Sequence, residues 1–272
     1  MINILVPTDF SPLSKIAIRY AVRIANKLGG NVTLLHVINF QRTMRSTIKM
    51  ETNSRDFVKA INDQLEEIVN EITSEIMVTT PIRCEIAKGK SFSKTIIKES
   101  KKLKSGLIVM GTRGATGLKK ALLGSNTVSV LEASHVPVLA VPEEAEFETF
   151  RNIIYATDLQ DLEKELATLI PYVERFGSTI HVLHIVEDGM LVPEAEERIN
   201  TIIKKLKYDN IVTLVTMDFD VNAAIDQYIS VSKADLVTMF TQKTSFYDKV
   251  FDKSLTRRMA FHGTIPLLAF QQ

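Results

Sequence analysis

The chain repeats itself, and a repeat fixes the architecture before any single element is read. The opening stretch Asn3-Ile4-Leu5-Val6-Pro7-Thr8-Asp9-Phe10 returns 149 residues later as Asn152-Ile153-Ile154-Tyr155-Ala156-Thr157-Asp158-Leu159. Leu28-Gly29-Gly30-Asn31-Val32-Thr33-Leu34-Leu35-His36-Val37-Ile38 is echoed by Phe176-Gly177-Ser178-Thr179-Ile180-His181-Val182-Leu183-His184-Ile185-Val186. Val136-Pro137-Val138-Leu139-Ala140 answers to Ile265-Pro266-Leu267-Leu268-Ala269. The 272 residues therefore read as two similar domains, each within the usual ~100–200 residues. The second copy is shorter by about twenty residues, mostly between its second and third strands.

Each copy alternates short β-branched or apolar runs with longer segments of helical period, the pattern of βα units around a parallel sheet. The predicted strands of the first copy are Asn3 to Pro7, Val32 to Ile38, Ile82 to Ala87, Gly106 to Met110 and Val136 to Val141. Predicted helices run from Pro12 to Leu28, Thr52 to Glu75, Ser91 to Leu103 and Ser125 to Ser134. Ser11 before Pro12 supplies an N-cap, and Gly29-Gly30 a left-handed stop. The acidic, aperiodic stretch Glu143 to Phe150 reads as a linker, giving domains 1–146 and 147–272. In the second copy strands are expected near Ile153 to Ala156, Ile180 to Val186, Ile211 to Met217, Asp235 to Phe240 and Pro266 to Phe270.

Net charge is +1, so no global field gathers nucleic acid or an anionic membrane, and neither is expected as a partner. One cysteine, Cys84, cannot close an intramolecular disulfide, and no apolar run approaches the ~20 residues of a membrane span. Together with an opening that lacks signal-peptide features, this sets the expectation of a cytoplasmic protein.

Ligands of an open parallel sheet bind where the strand order reverses, outside the carboxyl ends of the two strands that flank the reversal. If the first and fourth strands are those neighbours, Pro7-Thr8-Asp9 and Gly111-Thr112-Arg113-Gly114-Ala115-Thr116-Gly117 face one crevice. Glycines there let main-chain N–H groups approach an anion. Gly124-Ser125-Asn126-Thr127 opens a helix whose positive end also favours phosphate, with Ser125 and Thr127 adding hydroxyl donors and Arg113 a cation. Across the crevice Asp9 can accept from ribose hydroxyls or hold Mg²⁺, and it can equally cap the helix that follows.

Gly111, Gly114, Gly124 and Ser125 form G-x2-G-x9-G-S, which resembles the nucleotide-binding signature of the universal stress protein family. Ile4-Leu5-Val6-Pro7-Thr8-Asp9-Phe10-Ser11 and Leu34-Leu35-His36-Val37 are similar to that family's first two strands, and the whole resembles a tandem member. The resemblance implies two doubly wound α/β domains, flavodoxin- or Rossmann-like, each a five-stranded parallel sheet of order 3-2-1-4-5. It also implies ATP, or ADP or AMP, as ligand, with Mg²⁺ open at Asp9. Asp9 would serve the ribose or metal, Pro7 and Thr8 would line the nucleotide site beside it, and the backbone at Val37 would meet the adenine. Met110, Gly111, Arg113, Gly114, Gly124, Ser125, Asn126 and Thr127 would line ribose and phosphates. Paired domains are a further implication, here as an internal pseudo-dimer, with a homodimer left open.

The second copy departs from the signature. After its fourth strand comes Thr241-Gln242-Lys243-Thr244-Ser245-Phe246-Tyr247-Asp248, with no glycine before Gly263. Asp158 is retained but the anion cradle is not, so this copy reads as degenerate. Gly89-Lys90-Ser91 suggests a Walker A ending, but Cys84 stands where the first glycine is required, and Ser91 reads better as a helix cap. His181 and His184, three apart on a strand, face opposite ways and do not share a metal. Phe40 to Lys49 reads as either a flap over the crevice or a plain surface loop. No catalytic constellation and no HxGH or SGGxDS signature is present. The reading is a nucleotide-dependent sensor or regulator in the stress response; the alternative is a slow Mg-dependent ATPase or nucleotidyl-transfer enzyme on the same fold.

Overall fold

Apolar residues concentrate in strands that are covered on both faces, which is why they read as unbroken hydrophobic runs. In a computed structural model, which describes residues 1–39, 55–112, 123–147, 149–241 and 265–271, these strands form the centre of two compact units divided between Glu143 and Glu144.

The first unit holds β1 (Asn3–Thr8), α1 (Pro12–Leu28), β2 (Asn31–Asn39), α2 (Arg55–Glu75), β3 (Ile82–Gly89), α3 (Phe92–Lys102), β4 (Leu107–Gly111), α4 (Ser125–Ala133) and β5 (Val138–Val141). All pairings are parallel and the order is β3-β2-β1-β4-β5. Because parallel crossovers are right-handed, helices laid down while the chain moves from β1 to β3 cover one face, and those laid down on its return through β4 to β5 cover the other. Accordingly α1 packs beside α2, and α3 beside α4. Ile4, Leu5, Val6, Ile108 and Val109 are at most 1% exposed between the layers.

Local chemistry sets the ends of α1 as expected. Ser11 is its N-cap, accepting from the Ser14 N–H, and Gly29 ends it with a φ of 69°. Lys15 and Arg19 bridge to Glu71 and Glu75 on α2. One expectation fails here. Ser91 sits at the N-cap of α3, yet its hydroxyl makes no capping bond; the helix is held instead by the Ser91 carbonyl, which accepts from the Thr95 N–H and hydroxyl.

The second unit repeats the plan with β6 (Asn152–Ala156), α5 (Leu162–Val173), β7 (Thr179–Val186), α6 (Val192–Ile203), β8 (Ile211–Met217), α7 (Val221–Ser232), β9 (Leu236–Thr241) and β10 (Leu267–Gln271). Its parallel order is β8-β7-β6-β9-β10, the first unit's order over again. Part of the shortening of the second copy lies in α6, 12 residues against 21 in α2.

Candidate functional site

In the first unit the strand order reverses between β1 and β4, which pair through Ile4 with Leu107 and Leu5 with Ile108. Continued along the sheet, that register sets Met110 and Gly111 level with Pro7 and Thr8. The crevice beyond these ends is therefore bordered by the two loops expected from the sequence.

On the β1 side, Pro7 and Thr8 are buried and Asp9 is exposed. The Thr8 hydroxyl lies 3.0 Å from Ser14 Oγ and accepts from the Phe10 N–H at 3.1 Å. Asp9 Oδ1 accepts from the Ser11 N–H at 3.2 Å and from the Ser11 hydroxyl at 2.5 Å. The carboxylate thus supports the capping residue and is not itself the cap. Phe10 adopts a φ of 65°, its ring stacked on His36 with centroids 4.5 Å apart. His36 lies opposite Thr8 in the β1–β2 register and bonds through Nδ1 to the Thr8 carbonyl at 2.9 Å. Burial holds its imidazole below the ordinary pKa. Half-buried Val37 follows at the height of Asp9.

On the β4 side, the Thr112 N–H donates to the Val141 carbonyl at 2.9 Å, and the Gly124 N–H donates to the Thr112 carbonyl at 2.5 Å. The second bond draws the start of α4 up to the end of β4. Arg113 and Gly114 lie outside the described residues. Gly124 is the N-cap of α4, in extended conformation and with no side chain capping the helix. Ser125 and Asn126 are exposed in the first turn of α4, whose first N–H groups have no carbonyl within the helix and carry its positive dipole end. Thr127 differs from expectation: it is 2% exposed and its hydroxyl donates to the Gly111 carbonyl at 2.9 Å. Its proton is spent tying α4 to β4 and is not offered to a ligand. Met110 is 5% exposed, which leaves its main chain as the part near the crevice. An anion-accepting helix end and an exposed carboxylate at one end of one strand pair suit a ligand with both phosphate and hydroxyl groups.

The second unit builds the same turn after β6. Leu159 has a φ of 66°, its N–H donates to Thr157 Oγ1 at 3.0 Å, and His184 Nδ1 meets the Thr157 carbonyl at 2.9 Å. Around that turn, however, the chemistry changes. The Tyr155 hydroxyl bonds to the Glu165 carboxyl and lies 3.2 Å from Thr157 Oγ1, whereas in the first unit the matching Thr8 hydroxyl lies against Ser14 Oγ. Glu165 is 4% exposed, and its burial pushes the carboxyl up to about 7. Arg198 on α6 donates to the Leu159 carbonyl at 2.7 Å, and Asp158 is half-buried. The loop after β9 begins outside the described residues.

Among the described residues, His181 lies on β7 and Cys84 on β3, away from the turns after β1 and β4. His181 Nδ1 meets the Tyr228 hydroxyl at 2.8 Å on α7, away from the turn that holds His184. Cys84 is half-buried on β3, where burial raises its thiol. Phe40 to Lys49 lies outside the described residues. The structure adds one pair that motif reading did not single out, Phe10 with His36; the signal was present in the repeat, since His36 and His184 occupy matching places.

Comparison with known proteins follows the same division. The model of the Universal stress protein family matches residues 1–142. Universal stress protein MJ0577 of Methanocaldococcus jannaschii is 30% identical over 160 residues, covering 51% of this chain and 93% of that protein. Universal stress protein MJ0531 of the same organism is 28% identical over 148 residues, covering 51% of this chain and 81% of that protein. Across both units, the crystal structure of a universal stress protein from Archaeoglobus fulgidus DSM 4304 covers 99% of this chain and 98% of its own, with a TM-score of 0.71 at 21% identity, a likeness of fold. With the reversal at β1 and β4, the repeated unit and the family match over the first copy, the chain belongs to the universal stress protein family, as a tandem two-domain member.

Proposed function

We propose that the first unit binds an adenine nucleotide, ATP or its ADP and AMP forms, in the crevice between the ends of β1 and β4, and that the protein acts as a cytoplasmic nucleotide-dependent regulator of the stress response. The observation that carries this reading is the Gly124-to-Thr112 bond, which sets the uncapped start of α4 at the carboxyl ends of the strands that also present Asp9. In this reading the N–H groups of Ser125 and Asn126, with Arg113 and the glycines around it, receive the phosphates. Asp9 takes the ribose hydroxyls or a Mg²⁺ shared with the phosphates, and the main chain at Val37 meets the base. The donor set fits: amides and a cation for the charged tail, a carboxylate for the sugar.

The test is titration of the purified full chain with ATP by calorimetry, alongside mass analysis of small molecules released on denaturation. Saturable binding is expected, weakened roughly tenfold by Asp9→Ala, as befits one lost charge-assisted bond of about 1.4 kcal/mol. No heat and no thermal shift at millimolar ATP would sink the reading.

A further inference from the structure

We propose that His36 is a positioning residue for Asp9: its bond to the Thr8 carbonyl locks the turn that aims the carboxylate into the crevice, and so sets the preference for a nucleotide over a bare polyphosphate. The inference rests on the nucleotide reading above and assigns a role that the binding motif itself does not contain.

Asp9 stands in a turn held from two sides: from within, by the Ser11 bonds to its Oδ1, and from β2 across the sheet. Phe10, a residue with a Cβ, takes a φ of 65°, a conformation that persists only where surrounding contacts over-determine it. Two of those contacts come from β2. A carbonyl oxygen only accepts, so at 2.9 Å His36 Nδ1 carries the proton and donates to Thr8, which fixes both the tautomer and the plane of the ring. The ring then supports Phe10 by stacking at 4.5 Å and 25°. The Thr8 hydroxyl completes the lock from the strand side by accepting from the Phe10 N–H.

The second unit separates the two contributions. There Leu159 replaces Phe10, so no ring stack forms, yet φ is 66°, the Leu159 N–H still meets the threonine hydroxyl, and His184 still bonds to the Thr157 carbonyl at 2.9 Å. The stack is therefore dispensable, and the histidine-to-carbonyl bond is the contact from the neighbouring strand that both units keep, alongside the threonine hydroxyl within the turn and, in the second unit, Arg198 on the Leu159 carbonyl. The histidine bond acts on the carboxylate end of the site and leaves the start of α4, which is anchored separately through Thr127 to Gly111, untouched.

Calorimetry of the full chain with two probes, ATP and inorganic tripolyphosphate, tests this. His36→Phe keeps a ring for Phe10 to stack on and removes the donor; it is expected to weaken ATP about five- to tenfold and tripolyphosphate by less than about twofold. His36→Asn retains a donor at the position of Nδ1 and is expected to stay within about twofold of the parent for both. Asp9→Ala added to His36→Phe is expected to cost no further affinity, because the two changes remove one interaction. Equal loss for both probes, or full additivity with Asp9→Ala, would overturn the role. If His36→Phe does not fold, Phe10→Leu decides: ATP affinity within about twofold supports the lock, and a loss matching Asp9→Ala overturns it. A parent chain that binds no ATP defeats the nucleotide reading itself; a parent that binds, with His36→Phe indistinguishable from it, defeats only the positioning role.

Discussion

Glu165 is the most consequential single residue outside the crevice loops. Its carboxyl is buried beneath the Thr157–Leu159 turn and bonded to Tyr155, and desolvation, against the opposing pull of that bond, raises it from 4.5 to about 7. Asp158 and Asp161 push the same way, and Lys164 opposes them. A raised carboxyl favours the protonated form in the folded state. Its stabilisation is therefore complete below about pH 4.5, declines as pH rises toward about 7, and is gone above that; the span is at most about 3 kcal/mol. Glu165→Gln keeps an acceptor for Tyr155 and removes the titration. Urea unfolding at pH 5 and pH 8 is expected to show the variant gaining roughly 2 kcal/mol on the parent between the two conditions; parallel profiles would refute this. Nothing in the sequence marks Glu165, which sits in its helix beside Glu163 and Lys164, charged neighbours of the kind that line a solvated face. Asp9 was legible because its strand, turn and loop signals are local. Thr127 was legible as a residue of the first turn of a helix, but not in its inward direction, because only the approach of Gly111 across 16 positions gives its hydroxyl a partner.

At the scale of elements, the end of α1 shows two glycines doing different things. Gly29 has a φ of 69° with no atom within 4 Å of where a Cβ would lie, so Gly29→Ala costs only the conformational penalty, about 1 kcal/mol. At Gly30 a Cβ would stand 2.5 Å from the Ile2 carbonyl oxygen, and that oxygen accepts from the Asn31 N–H that starts β2. Gly30→Ala is expected to cost at least about 2 kcal/mol, and the order of the two midpoints in denaturant checks it. Helix starts, stops and strand identities were readable because capping and periodicity are local. The Ser91 cap was misread for the complementary reason: serine before a helix permits a capping bond, and the side-chain orientation that makes one is settled by packing.

At the scale of the molecule, the two copies share one topology and differ in the chemistry around the same turn. The second keeps the turn of Thr157 to Leu159, but Arg198 bonds to it, Asp158 is half-buried, and the sequence after Thr241 has no glycine before Gly263. Titration is expected to give one nucleotide per chain, and Asp158→Ala is expected to leave ATP affinity within about twofold where Asp9→Ala does not. Two equivalent sites would contradict this. The sequence by itself determined the repeat, the alternation of strand and helix, the parallel sheets and the family, because these follow from local periodicity, capping and motif spacing. Only the tertiary structure decided which hydroxyls and carboxyls face inward, that histidines on β2 and β7 bond to the threonine carbonyls after β1 and β6, and that an acid is buried under the second turn. Those facts depend on contacts between residues far apart in the chain, which no local pattern records.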